Sequence, residues 1–226
     1  AAVTVDHLAQ QLANVLRMKE GDQLVLLDGS GQEFLARLTA LSRRTAAAHV
    51  LEARACPAEP LLHLTLYQCS LKQDKFEWVL QKGTELGVSR FVPVIAERSI
   101  VRPAAALRNK YTRWGAILRE AAEQCGRARI PELSPPLDWA EAIANRSGTG
   151  LLAWEGATAA PALAHWLRAQ GTIDRLSLLI GPEGGIADHE AQGAAAGGWQ
   201  LVGLGPRILR AETAAIAAAA VVMALA

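Results

Sequence analysis

The chain has 226 residues, 51% of them hydrophobic and 20% charged, with 23 Lys and Arg against 22 Asp and Glu. The length suits a small module plus a larger one, and the composition excludes wholesale disorder and a collagen repeat. The resulting net charge of +1 argues against nucleic-acid binding through bulk electrostatics.

Cys56, Cys69 and Cys125 are odd in number and form no CxxC pair. They indicate neither a disulfide framework nor a zinc site, so no metal is expected, and a reducing, cytoplasmic setting fits them best. The apolar stretch from Ala214 to Ala226 is too short to span a bilayer, and no membrane partner is expected. The start, Ala1-Ala2-Val3-Thr4, lacks a basic n-region and an initiator Met. It reads as a chain whose first residues are missing or trimmed rather than as a signal peptide.

In chain order, Asp6 is placed to cap a short helix with Leu8, Leu12 and Leu16 on its apolar face. The runs 23–27 and 34–38 flank Asp28-Gly29-Ser30-Gly31, whose Asp-Gly step supplies a hairpin turn. A further strand is expected over 46–51. One helix and several short strands predict a small β-barrel over residues 1–58. Cys56-Pro57-Ala58-Glu59-Pro60 is a natural linker, because each proline blocks continuation of a helix or a central strand.

From Leu61 strands and helices alternate. A strand over 61–67 precedes a helix capped by Asp74, with Phe76, Val79, Leu80, Gly83 and Leu86 on one face and Gly87 as its stop. A strand over 91–95 and a long helix over 104–124 follow. Strands over 151–154 and 176–180 enclose a helix between Pro161 and Ala169. A last strand covers 199–204, and a final helix starts at Ala211. The alternation predicts an α/β domain over residues 61–226 with a mainly parallel sheet.

The net charge conceals an asymmetry. Residues 98–129 hold eight bases and two acids, whereas residues 130–226 hold five bases and nine acids. A basic helix with Tyr111 and Trp114 interleaved suits phosphate contact plus stacking, and a solvated helix face is the equal alternative. Arg43-Arg44 is a weaker basic pair in the first module.

Two segments carry chemistry. Ile180-Gly181-Pro182-Glu183-Gly184-Gly185 ends a strand, where open α/β sheets bind ligands and where glycine admits a ligand close to the backbone. Gly203-Leu204-Gly205-Pro206-Arg207-Ile208-Leu209-Arg210 leads into an alanine-rich helix. Neither Gly203-x-Gly205 nor Gly29-x-Gly31 completes a dinucleotide fingerprint, since Ile208 and Phe34 stand at the third glycine position. The absence of GxxxxGK[ST], HExxH and GxSxG disfavours P-loop nucleotidases, zinc proteases and ordinary serine hydrolases.

Ile180-Gly-Pro-Glu-Gly-Gly and Leu204-Gly-Pro-Arg-Ile-Leu-Arg-Ala-Glu-Thr-Ala resemble the paired cofactor-loop motifs of the 16S ribosomal RNA uridine-N3 methyltransferases, which belong to the SPOUT class. The likeness extends to Lys75–Val88, Glu97-Arg-Ser99 and Glu120–Arg127, and His7–Asp28 is similar to that family's PUA-like module. It covers nearly the whole chain. The resemblance implies a PUA-like β-barrel that binds RNA, followed by a SPOUT α/β-knot methyltransferase domain with a C-terminal trefoil knot. Knots are rare enough that the resemblance alone supports one here.

The resemblance further implies transfer of a methyl group from S-adenosylmethionine to N3 of one uridine. The implied cofactor pocket comprises the loop after Leu152, Ala153 and Glu155, then Gly181, Pro182, Glu183, Gly184 and Gly185, then Leu204, Gly205, Pro206, Ile208, Leu209, Arg210 and Thr213. Uridine N3 is a poor nucleophile until its proton departs, so the site needs a base or a cation that stabilises the anion. Arg210 is assigned that stabilising role, and Glu183 either accepts the proton or holds an arginine, with Arg98 as its partner. Satisfying loop amides is the rival role for Glu183, and a phosphate contact is the rival for Arg98. Glu212 reads as a first-turn acid acting on the helix dipole, and His189 and Glu190 read as surface.

RNA contacts are assigned to Arg43, Arg44, Lys72, Lys75, Arg98, Arg102 and Arg127. N3 lies on the Watson–Crick edge, so the target base must be unpaired or flipped. The implied partner is 16S ribosomal RNA in the small ribosomal subunit. The apolar final helix, with Ile216, Val221, Val222, Met223 and Leu225, suits a homodimer, with a fully buried core helix as its alternative. Two rival classes remain: a non-catalytic RNA-binding or ribosome-assembly protein that keeps the fold, and an NAD oxidoreductase, which the failed fingerprint disfavours.

Overall fold

The computed structural model describes residues 1–156 and 160–226; residues 157–159, in the loop named above after Glu155, lie outside the described residues. The chain divides into two compact units, Ala1–Glu59 with Gly126–Arg129, and Pro60–Cys125 with Ile130–Ala226.

The first unit is a four-stranded sheet of β1 (Ala2–Thr4), β2 (Gln23–Leu27), β3 (Gln32–Leu41) and β4 (Ala46–Ala55) in the order β1-β4-β3-β2. All its pairings are antiparallel, and β3 and β4 shift register at Leu35/Ala36 and at Leu38/Ala40, which bends and twists the ladder. The β2–β3 hairpin turns where expected. Asp28 Oδ1 accepts from the Ser30 amide at 2.9 Å, and Gly29 takes a φ of +87°, which an L side chain resists. Ala36, Leu38, Ala46 and Ala48 pack with Val5, Ala9 and Leu12 into this unit's core.

Two expectations for the first helix fail. Asp6 is not its cap; it lies within the 3-10 turn Asp6–Leu8, and its Oδ1 accepts from the Ala46 amide at 2.9 Å. The next turn, Gln11–Val15, is a π-helix in which the Leu16 amide reaches the Gln11 carbonyl at 2.9 Å. That wider winding rotates Leu16 off the apolar face, leaving it 56% exposed while Ala9 and Leu12 point inward.

The second unit is built on β5 (His63–Cys69), α1 (Lys75–Glu85), β6 (Arg90–Ile95), α2 (Tyr111–Cys125), β7 (Glu132–Leu133), β8 (Leu137–Asp138), α3 (Trp139–Ala144), β9 (Thr149–Ala153), α4 (Leu163–Arg168), β10 (Arg175–Ile180), α5 (Asp188–Ala196), β11 (Gln200–Val202) and α6 (Ala211–Leu225). Its seven strands run in the order β11-β9-β10-β5-β6-β7, with β8 also on β6, and every recorded pairing is parallel. Both faces are covered, as parallel sheets require. Leu64, Leu66, Leu178 and Ile180 face α1, α2, α4 and α6, whereas Tyr67, Cys69 and Leu179 face α3 and α5. Burial drives the Cys69 thiol pKa well above its ordinary value, which keeps it an inert packing group.

Asp74 precedes α1 without capping it. Its ψ of 1° lies outside the extended region that aims an N-cap oxygen at the first turn, and its side chain makes no cap bond. Gly87 does stop that helix, at a φ of +101°. The single helix expected over 104–124 is a 3-10 segment, Ala104–Lys110, followed by α2. Trp114 is 1% exposed and stacks on Phe76 at a centroid separation of 4.5 Å, and the Tyr111 hydroxyl donates to the Ser134 carbonyl at 2.6 Å. These two aromatics belong to the packed face of α2, so the interleaved stacking surface expected there does not form. Among the described residues, no helix is long and apolar enough to cross a membrane.

Candidate functional site

The strand order locates the site. From β5 the chain crosses through α1 to β6, on one side; β10, the neighbour of β5 on the other side, belongs to the β9–β10 crossover. The chain therefore changes winding direction between β5 and β10, and open α/β sheets bind ligands beyond the carboxyl strand ends at such a switch point. A cavity of about 810 Å³ lies there.

Three segments wall it. Ala153 and Glu155 come from the end of β9, and Gly181, Pro182, Glu183 and Gly185 from the end of β10. Leu204, Gly205, Pro206, Ile208, Leu209 and Arg210 come from the loop before α6. Three expected residues do not line the cavity. Leu152 is fully buried on the opposite face of the sheet, Gly184 packs away from the cavity, and Thr213 is exposed on α6. The lining also includes Trp154 and Arg207 from the same segments, and Lys75, which the sequence assigns to RNA.

Backbone contacts hold the walls. The Gly185 amide donates to the Pro182 carbonyl at 3.0 Å, and Gln68 Nε2 donates to the Gly181 carbonyl at 3.4 Å. A Cβ on Gly184 would sit 2.9 Å from the Arg98 carbonyl oxygen, so only glycine lets this loop lie against the Arg98 backbone. Gly203 exchanges backbone bonds with Pro161 and Leu163 at 3.1 and 2.9 Å, and the Trp154 amide donates to the Val202 carbonyl at 3.2 Å. Gly205 has a φ of +108°, which turns the chain over the cavity. Ile208 is an apolar side chain 88% exposed beside it.

Glu183 is partnered by Lys75 rather than by the expected Arg98. Its Oε1 accepts from the Lys75 ammonium at 3.3 Å and from the Lys72 amide at 3.1 Å, because β5 and β10 are neighbours and their following loops meet. Lys75 is also 3.6 Å from Glu212 Oε1. Glu212 is buried in the first turn of α6, so it does more than bias a helix dipole. Oε2 of Glu183 and Oε2 of Glu212 are both buried without a hydrogen-bond partner among the described residues.

Arg210 is the N-cap residue of α6 and lines the cavity, and among the described residues its side chain has no hydrogen bond or ion pair. Arg98 is exposed and places Nη1 3.5 Å from the Gly184 carbonyl. Of the residues assigned to RNA, Arg43 and Arg44 are exposed at the tip of the β3–β4 turn, whose geometry Ser42 Oγ sets by accepting from the Arg44 and Thr45 amides at 3.2 and 3.0 Å. Lys72 is exposed, and Arg102 is exposed with Nη1 on the Glu97 carbonyl at 2.9 Å.

Two of those residues are engaged within the protein. Lys75 is drawn into the cavity by its two carboxylates. Arg127 belongs to the first unit, where its side chain is 4% exposed and paired with Glu59 at 3.1 Å. Glu190, expected at the surface, is buried and accepts from the Glu97 and Ala187 amides at 2.9 and 3.2 Å. His189 is exposed as expected.

Comparison with known proteins fits this arrangement. Residues 57–223 match the family model described as RNA methyltransferase domain, and residues 12–51 match that of the RNA methyltransferase PUA domain. A relative from Synechocystis sp., named ribosomal RNA small subunit methyltransferase E, is 37% identical over 95% of this chain and 70% of its own length. The chain belongs to the ribosomal RNA small subunit methyltransferase E family. Among solved structures, the methyltransferase E of Neisseria gonorrhoeae bound to S-adenosyl methionine is 36% identical with a TM-score of 0.82, covering 97% of this chain and 90% of that one. A Legionella pneumophila methyltransferase in complex with bound SAM is 32% identical with a TM-score of 0.81, covering 99% and 92%.

Proposed function

We propose that this member of the methyltransferase E family uses S-adenosylmethionine to methylate N3 of a specific uridine in the 16S ribosomal RNA of the small ribosomal subunit. One observation carries the reading. The Gly181–Gly185 loop and the Leu204–Arg210 loop converge on one cavity at the switch point of the sheet, with a cation and a carboxylate on its wall.

The residues present suit the cofactor. A volume of about 810 Å³ falls in the range for a ligand of that size. The backbone of Leu204, Ile208 and Leu209 offers donors and acceptors to an adenine, and their side chains offer apolar cover. Gly181 and Gly185 leave room for the ribose and the methionine portion. Lys75 with two carboxylates leaves an excess negative charge, which suits a sulfonium. When bound, the cofactor supplies an electrophilic methyl group whose leaving sulfur needs little activation.

The chain's own residues act on the uridine. Glu183 removes the N3 proton, and Arg210, free to reach from the mouth of α6, stabilises the charge that spreads onto O2 and O4. Arg98 holds the Gly184 carbonyl and extends the positive rim for the RNA backbone. Arg43, Arg44, Lys72 and Arg102 supply exposed charge for phosphates. The target base enters unpaired or flipped, since N3 is otherwise engaged in pairing. The loops that carry the site cross as a trefoil. The protein acts in the cytoplasm, and the half-buried side of α6, with Ile216, Val221 and Leu225, supports a homodimer.

The test uses purified small ribosomal subunits and labelled S-adenosylmethionine. N3-methyluridine blocks pairing, so reverse transcription should stop at one new position after treatment. Methyl transfer to ribose, or no new stop, refutes the assignment. Arg210→Ala should bind the cofactor in a calorimeter and lose turnover by 100-fold or more, on the order expected for removal of one anion-stabilising donor. Retained turnover removes Arg210 from the mechanism.

A further inference from the structure

The two carboxylate oxygens left without partners bear on how the site handles charge. Glu183, Lys75 and Glu212 come from the loop after β10, the first turn of α1 and the first turn of α6. They converge because β5 and β10 are adjacent and α6 packs across both. Lys75 is 3.3 Å from Glu183 and 3.6 Å from Glu212, and the Glu212 side chain is 9% exposed. One ammonium cannot neutralise two carboxylates, and each carboxylate keeps a buried oxygen with no partner among the described residues. A buried acceptor is costly to leave unmatched, and a site tuned only for stability would have supplied a donor.

We propose that Lys75, Glu183 and Glu212 form a single charge unit with one net negative charge, in which Lys75 and Glu212 are positioning residues that hold Glu183 as the proton acceptor for uridine N3. The inference rests on the function proposed above. Lys75 and the Lys72 amide engage Glu183 Oε1, which fixes the carboxylate plane. Glu212 shares Lys75 with Glu183, so one ammonium serves two carboxylates and the unit keeps a net negative charge. In the step itself the N3–H bond breaks, its proton passes to the Glu183 carboxylate, and the N3–methyl bond forms. The pair of the broken carbon–sulfur bond stays on sulfur. A positive charge on sulfur and a negative charge on the unit disappear together, so the unit ends neutral.

Among the described residues, the other charged groups around Glu183 are Arg98 on the far side of the Gly184 loop, Glu155 beside Gly185, Arg207 and Arg210 on the cavity wall and the exposed Lys72 side chain. Each stays in place in the variants below, so shifts between them report the unit.

The variants are Lys75→Met and Glu212→Gln, with Lys75→Arg as the charge-conserving control and thermal melts to establish folding. Single-turnover methylation of small ribosomal subunits is followed against pH, and the relative affinity for S-adenosylmethionine and the neutral S-adenosylhomocysteine is measured by calorimetry. Lys75→Met removes the neighbouring cation, so the acid limb should move up by ~1 pH unit or more, and Glu212→Gln removes an anion, so it should move down. The preference for the cationic over the neutral ligand should rise in the first and fall in the second, each by roughly tenfold. Lys75→Arg should restore both. If Lys75→Met does not fold, Glu212→Gln decides alone: a limb and a preference that both fall support the unit, and any other result overturns it. Shifts in the same direction, or none, in folded variants overturn the unit while leaving the methyltransferase reading intact. A wild-type protein that fails to bind S-adenosylmethionine refutes that reading first.

Discussion

Replacing Trp114 tests whether α2 is a packing element or an RNA-stacking one. Trp114 is 1% exposed, stacks on Phe76 at 4.5 Å and sits 5.4 Å from Tyr111, with an indole N–H that has no partner among the described residues. Truncation of a buried Trp to Ala costs about 3–5 kcal/mol, and the lost ring pairing adds ~1 kcal/mol. Removing an unmatched buried donor returns about 1–3 kcal/mol. The net for Trp114→Ala is therefore about 3 kcal/mol, which at ~2–4 °C per kcal/mol lowers Tm by about 6–12 °C. Trp114→Phe keeps a ring on Phe76 and discards the unmatched N–H, so it should cost no more than about 1 kcal/mol. Thermal melts measure both. A base stacked on Trp114 would instead be worth about 1–3 kcal/mol of RNA affinity. A Trp114→Ala protein with unchanged Tm and RNA binding weakened by that much would refute the packing argument.

Other outcomes follow from individual contacts. Gly184→Ala drives a Cβ to 2.9 Å from the Arg98 carbonyl oxygen, so calorimetry should find S-adenosylmethionine binding weakened by about tenfold, the scale of a 1–3 kcal/mol overpacking penalty; Gly193→Ala, with open space around it, should bind normally. Arg127→Met breaks a buried pair and should cost about 3 kcal/mol, whereas the double variant Arg127→Met/Glu59→Gln should recover most of that and keep the wild-type salt dependence of RNA binding. A slope reduced by ~1 would return Arg127 to the phosphate contacts. Burial pushes the Tyr111 pKa up to about 12 from 10.0. A group whose pKa is raised by folding adds stability that is present in full below the unfolded value and is lost as pH climbs through the folded one. Alkaline unfolding should therefore steepen between pH 10.0 and about 12 in step with tyrosinate absorbance, and Tyr111→Phe should remove that component.

Local chemistry read from the chain alone went a long way. Proline at 57 and 60 and glycine at 87 stop elements by their own backbone limits, and the alternation after Leu61 yields a parallel sheet because a helical crossover between strands returns the chain to run in the same direction. The glycine loops at 181–185 and 203–205 announce a ligand because of where they fall, at strand ends. The sequence also showed an uneven charge, with an excess of bases over 98–129.

What became of those bases was a tertiary matter. Arg127 is consumed by Glu59, sixty-eight positions away, and Arg113 pairs with Glu77 at 2.6 Å, so a run of positive charge in the chain is a smaller one on the surface. Leu16 was lost to a π-turn, which no hydrophobic period reveals because the period presumes regular winding. The meeting of Lys75, Glu183 and Glu212 is the clearest case. Nothing in their spacing relates residues at 75, 183 and 212; the parallel pairing of β5 with β10 and the packing of α6 against both bring them within 3.6 Å. The sequence by itself determined which loops could bind a cofactor, through glycine's backbone freedom at strand ends. Which charged groups would act there was decided by strand order, because long-range electrostatics depends on distance in space and not along the chain.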